Sequence, residues 1–259
     1  MSHTSHAVIV VGGIHNDDPA SLTTYLSTTS YDDFPYWQNL VTVSNASGVY
    51  LGYNPTTQSG WVLSAKHINP LAATVTVAGT AYTVIDTRDI GSTDLRLYQI
   101  DLTGPIAGVQ DIVFASQAAT VGEFVLMTGR GYSSATSSPY TWGSPGAMSW
   151  GTNVIEGFQT SGGNPYILTD FDASGATDYE GQGATGDSGG GLFIYRNGIW
   201  ELVGIGYGVS RNGEARYGDV TAYSDVYASL GLIQQAIPET STTALLALAG
   251  LGLGLRRRR

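Results

Sequence analysis

The sequence has no cysteine and a single lysine, Lys66. Without cysteine there is no disulfide framework, no thiolate metal site and no cysteine nucleophile. Charged residues are only 12% of the 259, and the formal net charge is −10. Four of the eleven basic residues are Arg256 to Arg259, so residues 1–255 carry 7 basic against 21 acidic residues, a net −14. A body of that sign repels nucleic acid and anionic membrane surfaces, and nucleic acid is excluded as a partner. Residues 1–7 hold no Lys or Arg, and the apolar run Val8 to Val11 is too short for a signal-peptide core. Glycine, by contrast, is abundant at 35 residues, and aromatics make up 10%. That composition suits a β-rich globular chain with many turns, long enough for one large domain or two small ones.

From about residue 39 the chain reads as short strands and turns. Leu40 to Val43, Val49 to Tyr53 and Gly60 to Ala65 are strand candidates, with the turn Asn54-Pro55-Thr56-Thr57 between the last two. Ala73 to Val77 and Tyr82 to Ile85 read as a hairpin across Gly79; Leu95 to Ile100 alternates, and Val121 to Met127 opens a second series. After a long Gly/Ser/Thr-rich section, 128–163, come Ile167 to Phe171 and an acidic loop, 172–180. Asn197-Gly198 between Ile194 and Trp200 predicts a type I′ hairpin. One helix is expected, capped by Ser224 or Asp225, with Val226, Leu230, Ile233 and Ile237 on one face and Pro238 as its stop. Residues 20–38 read as irregular. The organisation is thus an N-terminal segment (1–37), an all-β barrel body (38–237) with a seam near 105–120, and a separate tail (238–259).

Chemistry concentrates in Gly186-Asp187-Ser188-Gly189-Gly190-Gly191. Glycines let the backbone adopt φ > 0, and such a turn can aim successive N–H groups at one developing oxyanion. A serine hydroxyl needs a base, usually histidine, and the base needs a carboxylate to hold it. Of the four histidines, His67 alone lies in the strand-rich body, at the end of Trp61 to Lys66. Asp94 begins the strand Leu95 to Ile100, and Asp86, Asp89 and Asp101 are its rivals.

Together, Gly60-Trp61-Val62-Leu63-Ser64-Ala65-Lys66-His67, Thr93-Asp94-Leu95-Arg96-Leu97 and Gly186-Asp187-Ser188-Gly189-Gly190 resemble the histidine, aspartate and serine signatures of the chymotrypsin/trypsin-like serine proteases, in that family's order. Val203 to Gly208 resembles the strand that holds substrate backbone. The resemblance implies two packed six-stranded antiparallel β-barrels with a C-terminal helix and a cleft between the barrels. It assigns Ser188 as nucleophile, His67 as base and then acid, and Asp94 as the group fixing the histidine tautomer. The amides of Gly186 and Ser188 would form the oxyanion hole. Gln182 would lie at the base of the primary pocket, Gly206, Tyr207 and Gly208 would line the substrate strand, and Thr221 would stand on the far wall. No metal or organic cofactor is implied. The family also pairs the equivalent of Asp187 with a new N-terminal amine. Val10-Val11-Gly12-Gly13 resembles such a terminus, although Ala7-Val8-Ile9 offers no basic cleavage site. Lys66 departs from the usual alanine beside the histidine and is expected to meet a surface acid. Calcium binding by Asp172, Asp178 and Glu180 is the less favoured reading of the acidic loop, which lacks regular ligand spacing.

The tail runs Ile237-Pro238-Glu239-Thr240-Ser241-Thr242, an apolar stretch Ala244 to Leu255, and four arginines. It is short for a bilayer span and reads as a transient membrane anchor with its arginines cytoplasmic. It resembles the PEP-CTERM sorting signal of Gram-negative bacteria, with Thr240 where a second proline is usual. That resemblance implies export, an exosortase-type processing partner and delivery to the cell envelope or beyond. The expectation is an exported serine endopeptidase acting on protein or peptide; the alternative is a surface-displayed binding or matrix protein on the same fold, with weak or no catalysis.

Overall fold

The computed structural model describes residues 8–13, 16–134, 137–174 and 176–237. The tail expectation lies outside these residues, as do His3, His6 and His15. No helix among the described residues is long and apolar enough to cross a membrane.

The first ordered pieces are a short strand β1 (Ile9–Val10) and a helix α1 (Pro19–Leu26). The helix lies where the sequence reads as irregular. Its eight residues include three threonines or serines and carry little intrinsic helical signal. What holds it is local capping and tertiary packing. Asp18 accepts the Ser21 amide at 2.7 Å, Pro19 fixes the first turn, and Leu22, Tyr25 and Leu26 are buried on one face.

Six strands follow: β2 (Leu40–Val43), β3 (Ala46–Asn54), β4 (Ser59–Ala65), β5 (Thr74–Val77), β6 (Thr80–Asp89) and β7 (Leu95–Asp101). They close into an antiparallel barrel in the order β2-β3-β4-β7-β6-β5, with β5 returning to β2 through Thr42 opposite Thr76. Alternating residues fill it, among them Val41, Val43, Val62, Val75, Tyr98 and Ile100.

The remaining strands are β8 (Phe124–Gly129), β9 (Tyr132–Ser134), β10 (Tyr140–Pro145), β11 (Ser149–Val154), β12 (Gly157–Ser161), β13 (Asn164–Asp170), β14 (Gly181–Gln182), β15 (Gly191–Arg196), β16 (Ile199–Val209), β17 (Glu214–Ala215) and β18 (Val220–Asp225). Seven of them form one antiparallel sheet, β11-β8-β15-β16-β18-β13-β12. Of the two six-stranded barrels expected, one is therefore present as a closed barrel; the second strand set is this seven-stranded sheet, flanked by the pair β1-β14 and the ladder β17-β10-β9. Strands β9 to β12 occupy the Gly/Ser/Thr-rich section, where small residues and turns hide strand alternation. The Asn197-Gly198 hairpin forms, with positive φ at both residues. The C-terminal helix is α2 (Val226–Ala236), capped by Asp225, whose Oδ1 accepts the Ala228 amide at 3.0 Å.

One buried cluster joins these parts. It takes Leu22, Leu26, Phe34 and Tyr36 from the N-terminal segment, Val49, Leu63 and Leu97 from the barrel, and Phe193, Trp200 and Ile205 from the sheet. Trp200 Nε1 donates to the Asp32 carbonyl and Trp150 Nε1 to Ser21 Oγ. The segment before residue 38 is thus packed into the common core and is not an appendage.

Candidate active site

The loop after β4 carries His67, and the residue entering β7 is Asp94. Ala65 pairs with Leu95 in the β4–β7 ladder, so the ends of these neighbouring strands bring the two side chains together. Asp94 Oδ2 lies 2.7 Å from His67 Nδ1, and Asp94 Oδ1 accepts the His67 backbone amide at 3.1 Å. The Lys66 amide donates to the Asp94 carbonyl at 2.9 Å. These contacts hold the imidazole with Nδ1 toward the carboxylate and Nε2 outward. His67 Nε2 then meets Ser188 Oγ at 2.8 Å, across the boundary between barrel and sheet.

The three rivals of Asp94 are engaged elsewhere or remote from the ring. Asp86 pairs with Arg88, Asp89 with both Lys66 and Arg96, and Asp101 stands at the far end of β7 opposite Ser59. Lys66 meets its expected surface acid, Asp89, at 3.2 Å.

Ser188 sits in a turn that glycine makes possible. Gly186 and Gly189 have φ of 97° and 85°. A Cβ at Gly189 would overlap the Ser47 carbonyl oxygen and the Ser64 hydroxyl, so no other residue fits. Within the turn, the amides of Asp187, Gly189 and Gly190 donate to the carbonyls of Ala184, Gly206 and Asp187. The amides of Gly186 and Ser188 have no hydrogen-bond acceptor among the described residues. Two unclaimed N–H groups thus flank the Ser188 side chain, in a turn whose other donors are spent.

The barrel braces this turn through Ser47, a fully buried residue of β3. Its amide donates to the Ser188 carbonyl at 2.9 Å, and its hydroxyl donates to the Gly186 carbonyl at 2.9 Å. The same hydroxyl accepts the Arg130 amide at 2.8 Å, and the Ser64 hydroxyl donates to the Ser47 carbonyl at 2.6 Å. Sequence reading overlooks both serines, because nothing local distinguishes them from other strand serines, and the turn they brace lies more than 100 residues further along the chain.

Asp187 points away from the hydroxyl into the interior. Its Oδ1 accepts the Gly131 amide at 2.6 Å and its Oδ2 the Ala184 amide at 2.7 Å. Burial outweighs these two donors and pushes its pKa up to about 7. Among the described residues it forms no ion pair. The expected pairing with a freed amine at Val10 is not what this structure contains: Val10 pairs with Gly181 inside β1–β14, and the chain continues to Val8, whose amide donates to Ser149 Oγ at 2.8 Å.

Beside Ser188 a small cavity is lined by Val8, Gly183, Gly206, Gly208, Thr221 and Tyr223. Gly206 and Gly208 lie on β16 and Thr221 on β18. Gln182 does not line this cavity: it is buried in β14 opposite Ile9. Val8 takes part in its wall instead, because β1 runs alongside β14. Tyr207 stands over the histidine, its ring edge-on to His67 with centroids 5.8 Å apart, and stacks obliquely against Tyr166 at 4.6 Å. In the acidic loop, no group of three or more His, Asp or Glu side chains among the described residues is placed to hold a metal ion.

Ser188, His67, Asp94 and the two amides can together activate an alcohol oxygen, accept and return its proton, and stabilise an oxyanion. No protein-family model matches the sequence, and no curated protein matches it.

Proposed function

We propose that this protein is a serine endopeptidase that cleaves peptide bonds through Ser188, His67 and Asp94. The observation that carries this reading is the continuous chain Ser188 Oγ–His67 Nε2 at 2.8 Å and His67 Nδ1–Asp94 Oδ2 at 2.7 Å, set beside the two unclaimed amides. Ser188 Oγ attacks the peptide carbonyl and passes its proton to Nε2. The tetrahedral oxyanion is held by the N–H groups of Gly186 and Ser188. Nε2 returns the proton to the leaving amine, giving an ester on Ser188. Water, deprotonated by the same nitrogen, then releases the acid and restores the hydroxyl. Asp94 stays ionised and keeps Nδ1 protonated throughout. The substrate strand is β16 at Gly206 to Gly208, and the cavity at Val8, Gly183 and Thr221 receives an uncharged side chain, since the Asp187 carboxylate is turned to backbone amides.

The fold that accompanies this reading is trypsin-like, with the seven-stranded sheet as the second lobe. In its support, Asn153 Nδ2 on β11 donates to the Asp170 carbonyl on β13 at 2.6 Å, drawing distant strands of the sheet toward one another. On the resemblance of the tail we also place the reaction outside the cytoplasm, with 238–259 as a sorting and anchoring signal processed by an exosortase-type enzyme.

The test is labelling of the full chain with a fluorophosphonate probe, beside Ser188→Ala and His67→Ala. Labelling of the wild type that both substitutions abolish is expected. Absence of wild-type labelling, or labelling that survives in Ser188→Ala, overturns the assignment and favours a binding protein on this fold.

A further inference from the structure

Seven basic side chains precede the tail, and six are paired with carboxylates. Lys66 and Arg96 meet Asp89, Arg88 meets Asp86, Arg196 meets Glu123 and Glu201, Arg211 meets Asp219, and Arg216 meets Glu214. Arg130 is the exception. Its guanidinium forms no ion pair and no hydrogen bond among the described residues, although the same residues carry a large excess of acid. The residue is partly buried, and its five donors are open to a planar anion.

Its position links it to the proposed site. Arg130 directly follows β8; its amide donates to Ser47 Oγ, and its carbonyl oxygen lies 3.1 Å from where a Cβ on Gly186 would sit. Arg130 lines an open cavity of about 180 Å³ together with Trp37, Gln38, Thr42, Thr76 and Met148, and no acidic residue borders it. A second cavity, also of about 180 Å³, is lined by Asn45, Asn69 and Tyr132 and touches His67, Gly186 and Ser188. Both cavities draw on the barrel's β2–β3 end and the stretch after β8. The proposed substrate strand, β16 with Tyr207, approaches Ser188 separately and lines neither of them.

We propose that Arg130 is a specificity-determining residue that binds a carboxylate of the substrate on the leaving-group side of the cleaved bond. The inference rests on the endopeptidase reading. The surrounding charge sharpens it. A body of net −14 disfavours acidic polypeptides at long range, so among the described residues a carboxylate is favoured where it reaches the Arg130 guanidinium. The result is selection by position, not by overall charge. The carboxylate belongs either to an acidic side chain or to the free C-terminus of a short leaving segment; the chemistry at Arg130 is the same.

The experiment uses quenched fluorescent peptides in which one Glu, or its Gln counterpart, is moved through about five positions after the cleaved bond. A further pair ends in a free carboxylate or an amide. The reading is the Glu/Gln ratio of kcat/KM within each of wild type, Arg130→Gln and Arg130→Glu, so a general change in activity cancels. The same peptides are titrated by fluorescence anisotropy against Ser188→Ala with and without Arg130→Gln, which needs no turnover. A charge-assisted hydrogen bond predicts a ratio of about ten at one position, or for the free terminus, in wild type. It should fall to about one in Arg130→Gln and below one in Arg130→Glu. A ratio near one at every position, or one unchanged by Arg130→Gln, overturns the proposal. Failure of fluorophosphonate labelling strikes the endopeptidase reading alone, since anisotropy still decides whether Arg130 binds the carboxylate.

Discussion

Ser47 Oγ donates to the Gly186 carbonyl at 2.9 Å, and through that one bond the closed barrel sets the orientation of a peptide unit in the other half of the molecule. Because the hydroxyl also accepts the Arg130 amide, it is saturated from both sides. The peptide that ends in the Gly186 carbonyl is therefore fixed, and with it the direction in which the neighbouring amides point.

Ser47→Ala tests this brace. It leaves the Gly186 carbonyl and the Arg130 amide without their partner in a buried place, a cost of about 1–3 kcal/mol in stability. The expected kinetic result is a fall in kcat on the order of tenfold with KM nearly unchanged, since the loss falls on oxyanion stabilisation and not on ground-state binding. A loss of stability with kcat untouched would mean that Ser47 is only a packing residue. Steady-state kinetics with one chromogenic substrate, together with thermal melting, decides the matter.

Asp94→Asn should preserve the fold and abolish most turnover. The amide can present its N–H₂ to Nδ1, which favours the tautomer with Nε2 protonated and unable to accept from Ser188. A loss of kcat on the order of 10⁴-fold is expected, the magnitude associated with this substitution in the serine-protease template. Far-ultraviolet circular dichroism should be unchanged. An unaltered rate would hand the role to another acid.

Stability should fall as pH rises through the range set by two buried carboxyls. Burial is the main cause in both: it pushes Glu180 up to about 7 and Asp187 up to about 7. In the unfolded chain both titrate near pH 4. Between those values the folded protein holds protons that the unfolded chain has lost, so each group's stabilising contribution is complete below about pH 4, declines toward pH 7 and levels off above it. Glu180→Gln removes one of the two groups. Relative to wild type its Tm should rise by roughly 3 °C or more between pH 5 and pH 8. Parallel Tm curves for the two proteins would show that Glu180 is not protonated in the fold.

Much of this architecture is legible in the sequence where the pattern is local. The barrel strands show it through alternation, the Asn197-Gly198 hairpin through the φ > 0 that its turn demands, and α2 through an acidic cap and a repeating apolar face. The glycines around Ser188 mark a turn with unusual backbone. By contrast, α1 is held by Tyr25 and Leu26 docking on Trp150 and its neighbours, a contact its Thr-rich residues do not announce. The strands within 128–163 are equally silent, because small residues carry little alternation.

At the site itself, sequence determined which residues have the right chemistry: one serine among glycines, one histidine in the body and a short list of acids. Choosing Asp94 over Asp86, Asp89 and Asp101 required the β4–β7 register, which sets Ala65 against Leu95 and so brings His67 and Asp94 together. Tertiary structure alone decided that Val8 and not Gln182 lines the cavity, that Asp187 accepts from the amides of Gly131 and Ala184, that Ser47 braces the turn, and that Arg130 is left unpaired among the described residues. The physical reason is common to all four. Alternation, capping and turn propensity act over a few residues and leave their mark in the local order of side chains. Burial and hydrogen-bond satisfaction are balanced over the whole fold, largely between groups far apart in the chain, as in Gly131 with Asp187 or Ser47 with Gly186, and no local pattern records them.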